Sequence, residues 1–399
     1  MQTFDFAIIG GGVIGLTLAR SLKKKYPTQS IAVLEKEPNL GAHSSGRNSG
    51  VIHAGFYYTA DSLKAKFTRE GNKRLHSYCK ERRLKIRECG KLVVTRNEQE
   101  EADLDELYRR GEHNQVPLEL ISRDEAYKIE PRVKTLRRAL WSPTTASIDP
   151  HEVLHALQKD CLQSGIEILF GTAYRGRDND KIKTSKGDIA VGYTINAAGL
   201  YADRIARDFG FSKDYRILPF KGLYIYSNEP ANSFKTNIYP VPNLKNPFLG
   251  VHFTVTVDGH VKIGPTAIPA LWREQYGFFE NFQMGEFCEV VFREMGLFFS
   301  ADFDFRGLAL EEIKKYSRKY MVKLASELAE GVDSKNYLKW GKPGIRAQLY
   351  NIKIKKLEMD FIFEGDKKSF HVLNAVSPGF TASMPFADYL VDRLTELAN

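Results

Sequence analysis

The stretch FDFAIIGGGVIG, residues 4–15, decides how this chain folds. Residues 4–9 form a short apolar run rich in β-forming residues, which predicts a buried strand. Gly10, Gly12 and Gly15 follow in the spacing G-x-G-x-x-G, and the segment after them predicts a helix. The first glycine permits a tight turn, the second lets backbone N–H groups approach a phosphate, and the third lets the helix pack closely on the strand.

A second predicted strand completes a β-α-β unit. Residues 31–34, IAVL, are its apolar core, and Glu35 follows directly, where a carboxylate would accept hydrogen bonds from a ribose diol. The helix N-terminus between the two strands favours negative charge. The unit therefore predicts an adenine-dinucleotide site that includes Val13 and Lys36. The alternative is a glycine-rich turn without a ligand.

Composition limits the class of protein. The 399 residues are 43% hydrophobic and 27% charged, which indicates an ordinary globular chain of two or more domains. The four cysteines lie far apart without a C-x-x-C pair, so neither a disulfide framework nor a metal site is predicted. No apolar run of about 18 residues suggests a membrane span. The start MQTFD does not resemble a signal peptide, and a reducing cytoplasm is the expected compartment.

The net charge of +9 leaves several partners open. Nucleic acid, anionic lipid and a small acidic substrate would each suit a positive protein. Basic residues are densest over 64–87 and 311–323, where a solvated helix face is the simplest interpretation. The second run follows the aromatic stretch GLFFSADFDF at 296–305, so peripheral contact with the inner face of a membrane is the alternative.

Beyond the first unit, the pattern predicts a mixture of helices and strands. Helices are expected over 61–83, 98–114 and 151–164, and strands within GKLVVT and IEILFGTAY. The segment 193–206, YTINAAGLYADRIA, predicts a strand that enters a helix through small residues. Residues 217–265 are expected to be rich in strands and residues 271–330 mainly helical. No internal repeat or low-complexity linker is present, which predicts interleaved domains.

Several motifs in a fixed order resemble one family of enzymes. The motifs are GGGVIGLTLA, SSGRNSGVIHAGFYY at 44–58, SLKAKFTREGN, CGKLVVT, IYPVPN with PFLGVHFT, GPTA, GIRAQL and HVLNAVSPGFTAS. Together they are similar to the flavin oxidoreductases of the D-amino-acid oxidase and glycine oxidase type. Within that group they most resemble the L-2-hydroxyglutarate oxidase or dehydrogenase subfamily, over nearly the full length of the chain.

The resemblance implies FAD as the cofactor and an α/β (mixed α+β) fold. A Rossmann-like FAD-binding domain, formed by 1–88, 142–212 and 338–399, would be interleaved with a substrate domain of mixed β-sheet and helices, formed by 89–141 and 213–337. The implied cofactor contacts are spread along the chain. Besides the first β-α-β unit, they are Ser44, Ser45, Arg47, Asn48, Thr172, Ala173, Ala198, Gly199, Pro378, Gly379, Phe380 and Thr381.

The implied chemistry is hydride transfer from C2 of a 2-hydroxy acid to flavin N5, while a base removes the hydroxyl proton. Histidine suits the base, and both His53 and His252 are candidates. Arginine offers a planar fork to a carboxylate, and Arg346 in PGIRAQ matches the family's arginine strand. Lys221 could meet a second, distal carboxylate or could equally be solvated. Further residues expected to line the substrate site are Tyr239, Thr254 and Thr266.

The substrate domain departs from the subfamily pattern at several places. The subfamily usually has arginine, glycine and an acid where this chain has residues 221–223, KGL. It also has an arginine in place of Val255 and prefers asparagine in place of Thr266. These differences concern the substrate and leave the FAD motifs intact.

Other functions stay open at this stage. Oxidation of sn-glycerol 3-phosphate, or of an amine or amino acid, would use a similar flavin fold. A flavin protein acting on tRNA, or a nucleotide-binding regulatory module, would explain the charge in another way, although no RNA-binding signature is present and nucleic acid is not expected as a partner. The electron acceptor could be oxygen, a quinone or a soluble carrier. The sequence does not fix the oligomeric state.

Overall fold

A computed structural model describes residues 1–243, 250–300 and 305–398 of the chain. Within these ranges the α-helices are α1 (Val13–Lys25), α2 (Leu63–Glu81), α3 (Glu98–His113), α4 (Arg123–Ile129), α5 (Pro150–Gln163), α6 (Ala202–Asp208), α7 (Met284–Ser300), α8 (Phe305–Lys314), α9 (Arg318–Ser326) and α10 (Gly379–Ala398). Short 3₁₀ helices span Gly199–Tyr201 and Ser334–Asn336.

The strands in the same ranges are β1 (Gln2–Ile9), β2 (Ile31–Leu34), β3 (Val51–Ile52), β4 (Ile86–Arg87), β5 (Lys91–Val94), β6 (Glu119–Ser122), β7 (Arg138–Ser142), β8 (Ala146–Ile148), β9 (Glu167–Leu169), β10 (Tyr174–Asp178), β11 (Lys181–Thr184), β12 (Gly187–Asn196), β13 (Tyr215–Gly222), β14 (Ile225–Tyr226), β15 (Asn237–Pro240), β16 (His252–Val255), β17 (Val261–Gly264), β18 (Ile268–Pro269), β19 (Lys339–Trp340), β20 (Gly344–Asn351), β21 (Lys356–Leu357), β22 (Ile362–Gly365) and β23 (Ser369–Asn374).

The first sheet is built on a parallel core with β1 at its centre. Strands run in the order β9-β2-β1-β12-β23, all parallel, and β10, β11 and β22 extend it with antiparallel pairs. Alternate residues of β1 enter different cores, because Ile8 packs with α1, α5 and α10 while Ala7 and Ile9 pack on the side of α6. Burial on both faces explains why the end of β1, residues 6–9, and the whole of β2 are continuous apolar runs.

The second sheet has eight strands in the order β19-β14-β17-β16-β15-β5-β7-β6. All its pairs are antiparallel except β15 with β5. Leu92 and Phe253 face a core shared with α9, whereas Val93 and Tyr239 face the opposite side, towards α3. A four-stranded sheet, β18-β13-β20-β21, and a small sheet, β3-β8-β4, lie beside it.

The predicted elements agree with these bounds. The helices expected near 61–83, 98–114 and 151–164 are α2, α3 and α5, and the initial β-α-β unit is β1, α1 and β2. The second sheet draws strands from 91–142 and from 225–340, so the chain enters and leaves it more than once. The predicted domain boundaries stay a prediction.

Two segments singled out in the sequence lie partly outside the described residues. The aromatic stretch 296–305 overlaps residues 301–304, and the PFLGVHFT motif begins at residue 247. Among the described residues no helix is both long and apolar enough to cross a bilayer. The four cysteines are all free thiols, two of them buried.

The C-terminal helix α10 packs closely on α2. Gly71 of α2 lies against the backbone of the first turn of α10, since a Cβ built at Gly71 would lie 2.1 Å from the carbonyl oxygen of Thr381. The Thr381 side chain accepts a hydrogen bond of 3.1 Å from the backbone N–H of His53. The contact between α2 and α10 therefore fixes the segment that carries His53.

We expect Gly71→Ala to lower the free energy of unfolding by about 2 kcal/mol, because the new methyl group must displace helix backbone. Gly285→Ala on α7 is the matched control, since nothing lies within 4 Å of a Cβ built there. Urea unfolding followed by circular dichroism measures both variants. Equal stability of the two variants would show that the helices separate without cost.

Candidate active site

A cavity of about 1490 Å³ runs between the first sheet and the neighbouring sheets. All the predicted cofactor-binding residues lie on its wall except Gly15. Gly15 instead allows α1 to touch β1, because a Cβ built there would lie 1.9 Å from the carbonyl oxygen of Gly10. Gly10 has a φ of +112°, which favours glycine, and it approaches Ala197 at the end of β12.

The N-terminus of α1 opens into this cavity. Gly12 is its N-cap and makes no side-chain cap hydrogen bond, whereas the backbone N–H of Val13 donates to Ser45 Oγ at 3.0 Å. Glu35 accepts hydrogen bonds from the N–H groups of Gly11 (3.0 Å) and Glu37 (2.9 Å). The glycine turn and the carboxylate are thus fixed relative to each other, as an anion site beside a ribose site requires.

The loop 44–48 uses most of its polar groups to hold its own shape. Ser44 Oγ donates to the carbonyl of Ile345 at 2.7 Å, and Asn48 Nδ2 donates to that of Ser45 at 2.7 Å. The Arg47 guanidinium donates to the carbonyl of Ala42 at 2.6 Å and lies 4.1 Å from the ring centre of Tyr276. These side chains therefore position the loop, and their contact with a cofactor stays a prediction.

An ionic cluster stands at the end of the cavity near Glu35. Lys36 Nζ lies 2.5 Å from Glu274 and 3.1 Å from Glu37, and His43 Nε2 lies 2.9 Å from Glu37. Burial opposes the charge of Lys36, but the hydrogen bond and charge of Glu274 outweigh it, so its pKa is raised. Glu37, His43 and Glu274 are close enough to hold a metal ion. The Lys36 ammonium already supplies positive charge there.

Thr172, Ala173, Ala198 and Gly199 lie on the same wall. The backbone N–H of Thr172 donates to the carbonyl of Glu35 at 2.8 Å, which joins the strand after β9 to the end of β2. The structure therefore brings together the residues that were expected around the adenine and the diphosphate.

The other end of the cavity is lined by His53, Tyr239, His252 and Arg346. The backbone of His53 is held on both sides, by Thr381 at its N–H and by Asn72 Nδ2, 3.1 Å from its carbonyl. The ring of His252 stacks on Tyr239 with 3.6 Å between ring centres. Its Nδ1 lies 2.8 Å from the carbonyl of Gly250.

The Gly250 contact determines the tautomer of His252. A carbonyl oxygen only accepts, so Nδ1 must carry the proton, and in the neutral ring Nε2 keeps its lone pair. Burial lowers the pKa of His252 well below its usual value, although the Gly250 hydrogen bond opposes this effect. Burial and the charge of Lys91 lower the pKa of His53 to about 3. Both rings are therefore neutral at pH 7.

Lys91, on β5, is a functional candidate that the sequence analysis missed. Its side chain is fully buried, and its Nζ has no hydrogen-bond partner among the described residues. It lies 4.5 Å from the ring centres of Phe56 and Tyr57 and 4.8 Å from that of Tyr239. Burial lowers its pKa to about 7. The positive charge of this lysine acts on both His53 and His252.

Three predicted substrate residues do not lie on the cavity wall. Thr254 is fully buried, and Thr266 is taken up by the backbone, since its hydroxyl donates to the Lys221 carbonyl and accepts from the Leu223 N–H. Lys221 is buried on β13 and directly follows Phe220, which pairs with Arg346 of β20. Neighbouring residues of a strand face opposite sides, so Lys221 does not share the side of Arg346. The structure therefore places Lys221 off the cavity wall, and its expected contact with a substrate carboxylate stays a prediction.

Other residues of the wall were not predicted as site residues, although several of them lie within the quoted motifs. They include Gly11, His43, Tyr57, Tyr58, Lys64, Arg110, Tyr201, Tyr224, Gly344 and Asp360. Lys64 lies in the motif SLKAKFTREGN, and this part of the family resemblance is its signal in the sequence.

Comparison with known proteins identifies the family that has this arrangement. The model of a protein family described as "DAO: FAD dependent oxidoreductase" matches residues 5–393. The mitochondrial L-2-hydroxyglutarate dehydrogenase of Homo sapiens is 35% identical over 418 residues, covering 99% of this chain and 89% of the relative. The L-2-hydroxyglutarate dehydrogenase of Escherichia coli K12 is 31% identical over 400 residues, covering 99% and 94%.

Solved structures show the same fold. The L-alpha-glycerophosphate oxidase of Mycoplasma pneumoniae, reduced with dithionite and with FAD bound, superposes with a TM-score of 0.79 at 23% identity and covers 99% of this chain and 95% of its own. The glycine oxidase of Geobacillus kaustophilus has a TM-score of 0.74 at 19% identity, with the same coverage. At these identities the likeness concerns the fold alone.

We expect Lys91→Met to raise the free energy of unfolding by about 2 kcal/mol or more below pH 7, because it removes an unpaired buried charge. The folded-state pKa of about 7 lies below the usual 10.5, so the unfolded chain binds the extra proton between these values. The gain should therefore be complete below pH 7 and fade towards pH 10.5. Urea unfolding at several pH values measures it, with exposed Lys181→Met on β11 as the control. A gain in the free energy of unfolding that did not depend on pH would contradict the lowered pKa of Lys91.

Proposed function

The chain belongs to the family of FAD-dependent oxidoreductases, and we propose that within this family it oxidises L-2-hydroxyglutarate to 2-oxoglutarate. The observation that carries the proposal is similarity along nearly the whole chain to proteins named L-2-hydroxyglutarate dehydrogenase, from human to bacteria. Family membership confirms the predicted fold class, the FAD cofactor and the oxidoreductase class.

The residues of the cavity fit FAD. Gly12 leaves the α1 N-terminus open without a side-chain cap, and the Glu35 carboxylate stands beside it. The cavity continues from there to Gly379, the first residue of α10, so a second helix N-terminus faces it. Gly10, Gly12 and Glu35 would hold the ADP portion and Pro378–Thr381 the flavin portion. When bound, FAD supplies the acceptor for the hydride that leaves C2 of the substrate.

His252 is the better candidate for the base. A general base needs a lone pair at working pH within reach of the substrate hydroxyl. The Gly250 carbonyl fixes the Nδ1–H tautomer of His252, which leaves Nε2 to accept the proton. The stacked Tyr239 ring holds the imidazole plane. His53, whose backbone is tied to Thr381 and Asn72, would line the same space and orient the substrate.

Arg346 would bind the carboxylate next to the reacting carbon. It lies on β20, is half-buried on the cavity wall, and its Nη1 donates to the Thr266 carbonyl at 2.9 Å. That hydrogen bond fixes one edge of the guanidinium while the fork geometry suits a carboxylate. Its charge also acts on His252, which supports their closeness.

We also propose a cytoplasmic location with peripheral contact at the inner face of the membrane. The side chains of Phe278 and Phe279 are 84% and 72% exposed, which is unusual for aromatic residues in succession. Lys314, Lys319 and Lys323 are exposed on α8 and α9, farther along the chain. Aromatic and basic residues together suit an anionic lipid surface. The candidate electron acceptors are oxygen, a quinone and a soluble carrier.

Purified protein should be yellow and should bleach under anaerobic conditions when L-2-hydroxyglutarate is added, because the bound flavin is reduced. The D enantiomer, sn-glycerol 3-phosphate and amino acids serve as comparison substrates. Flavin absorbance in a stopped-flow instrument records the rate. Bleaching by an amine or by glycerol 3-phosphate alone would refute the proposed substrate.

We expect His252→Asn to keep bound FAD but to lose kcat by about 10²- to 10⁴-fold, as loss of a general base does. The acidic limb of kcat/KM in the wild-type enzyme should lie below pH 6.5, because burial lowers the pKa of this ring below that usual value. Steady-state kinetics from pH 5 to 9 test both points. His53→Asn is the matched variant, and the assignment of the two rings would be reversed if it lost more kcat than His252→Asn.

A further inference from the structure

The two lysines on the cavity wall differ in their surroundings. Lys36 is held by Glu274 and Glu37, whereas Lys64 forms no ion pair within 4.0 Å among the described residues. Lys64 is nevertheless buried, with 6% of its surface exposed. Burial of an unpaired ammonium group is costly unless a partner arrives. A cavity-lining lysine in this state is therefore suited to an anion that enters the cavity.

Asp360, the acid whose charge acts on Lys64, already accepts hydrogen bonds from the backbone. Asp360 accepts hydrogen bonds from the N–H groups of Leu63 (2.8 Å), Lys64 (2.9 Å) and Phe361 (2.9 Å). This carboxylate caps the first turn of α2, so it fixes the backbone that carries Lys64 without pairing with its ammonium group. Burial lowers the pKa of Lys64 to about 8, opposed by the charge of Asp360, and most of the side chain stays protonated at pH 7.

Lys64 lies on the cavity wall beside the segment that runs from His53 to Tyr58. Its Nζ is 5.9 Å from the ring centre of Tyr58, in the segment that begins at His53. On the same helix, Asn72 binds the His53 carbonyl about 12 Å farther along the axis. Arg110 donates to the carbonyl of Tyr57 and also lines the cavity, but it is paired with Glu106. Among the described residues, Lys64 is thus a cation on the cavity wall without an ion-pair partner beside the His53–Tyr58 segment, whereas Lys91, which also lacks a partner there, lies off that wall.

We propose that Lys64 forms the subsite for the distal carboxylate of a 2-hydroxy dicarboxylic acid, while Arg346 binds the carboxylate next to the reacting carbon. This inference rests on the proposed function, and it names Lys64 as the residue that makes the enzyme specific for a dianion. It gives Lys64 the role that the sequence suggested for Lys221, whose side chain lies off the cavity wall. A five-carbon chain with one carboxylate would leave the Lys64 ammonium buried and unpaired.

The test compares L-2-hydroxyglutarate with L-2-hydroxyvalerate, which has five carbons and lacks the distal carboxylate. In the FAD-loaded enzyme, Lys64→Met should raise KM for the dicarboxylate by about 10- to 100-fold, as expected for loss of a hydrogen bond to a charged group. The same variant should leave kcat/KM for the monocarboxylate within about twofold of wild type. Arg346→Ala should weaken both acids. Lys66→Met, on the exposed face of α2, is the control and should change neither.

Binding without turnover supplies a second readout. Titration of the flavin absorbance with 2-oxoglutarate and 2-oxovalerate gives a Kd for each oxo acid, and only the first should weaken in Lys64→Met. Lys64→Gln, which keeps a polar side chain, should show the same selective loss, so a packing defect in the methionine variant would not decide the result. Equal losses for the two acids, or no loss, would overturn the subsite. Failure of the wild-type enzyme to oxidise either acid would refute the proposed function instead.

Discussion

The close contact between Gly15 and the carbonyl of Gly10 is the constraint on which the rest of the structure depends. With no side chain at position 15, α1 begins directly against the end of β1 and its N-terminus opens into the cavity. A methyl group there would lie 1.9 Å from a backbone oxygen and would force the helix away. The open N-terminus of α1 and the position of Glu35 beside it depend on this contact.

The cavity has two ends that differ in how their charges are balanced. Near Glu35, the Lys36 ammonium is neutralised by Glu37 and Glu274, and His43 contacts Glu37, so this end is fixed by the protein itself. At the other end, Lys64 has no acidic partner within ion-pair distance among the described residues. A buried cation without a partner favours binding of an anion, which is the property that an oxidase or dehydrogenase of dicarboxylic acids needs.

In the second sheet, successive side chains of each strand point to opposite faces, and this places Tyr239, His252 and Lys91 close together. Tyr239 and His252 stack from neighbouring strands, and Lys91 is two residues from Val93 on the side of the sheet that faces α3. Residues that alternate along a strand share a face, so Lys91 lies beneath the aromatic rings of that side. Its buried charge helps to keep both histidines neutral, and a neutral imidazole is what a proton-accepting role requires.

The sequence by itself determined the fold class, the first β-α-β unit and most of the residues that line one wall of the cavity, because these depend on local spacing and on glycines whose task is set within a few residues. It also indicated His53, His252 and Arg346 as candidates, since each lies in a short motif. It did not single out Lys64 or Lys91, since a lysine in a sequence looks solvated whether or not it is buried. Only the tertiary structure decided that Lys64 and not Lys221 lies on the cavity wall, and which nitrogen of His252 keeps its lone pair. Both depend on contacts between residues far apart in the chain, or on backbone geometry that no motif encodes.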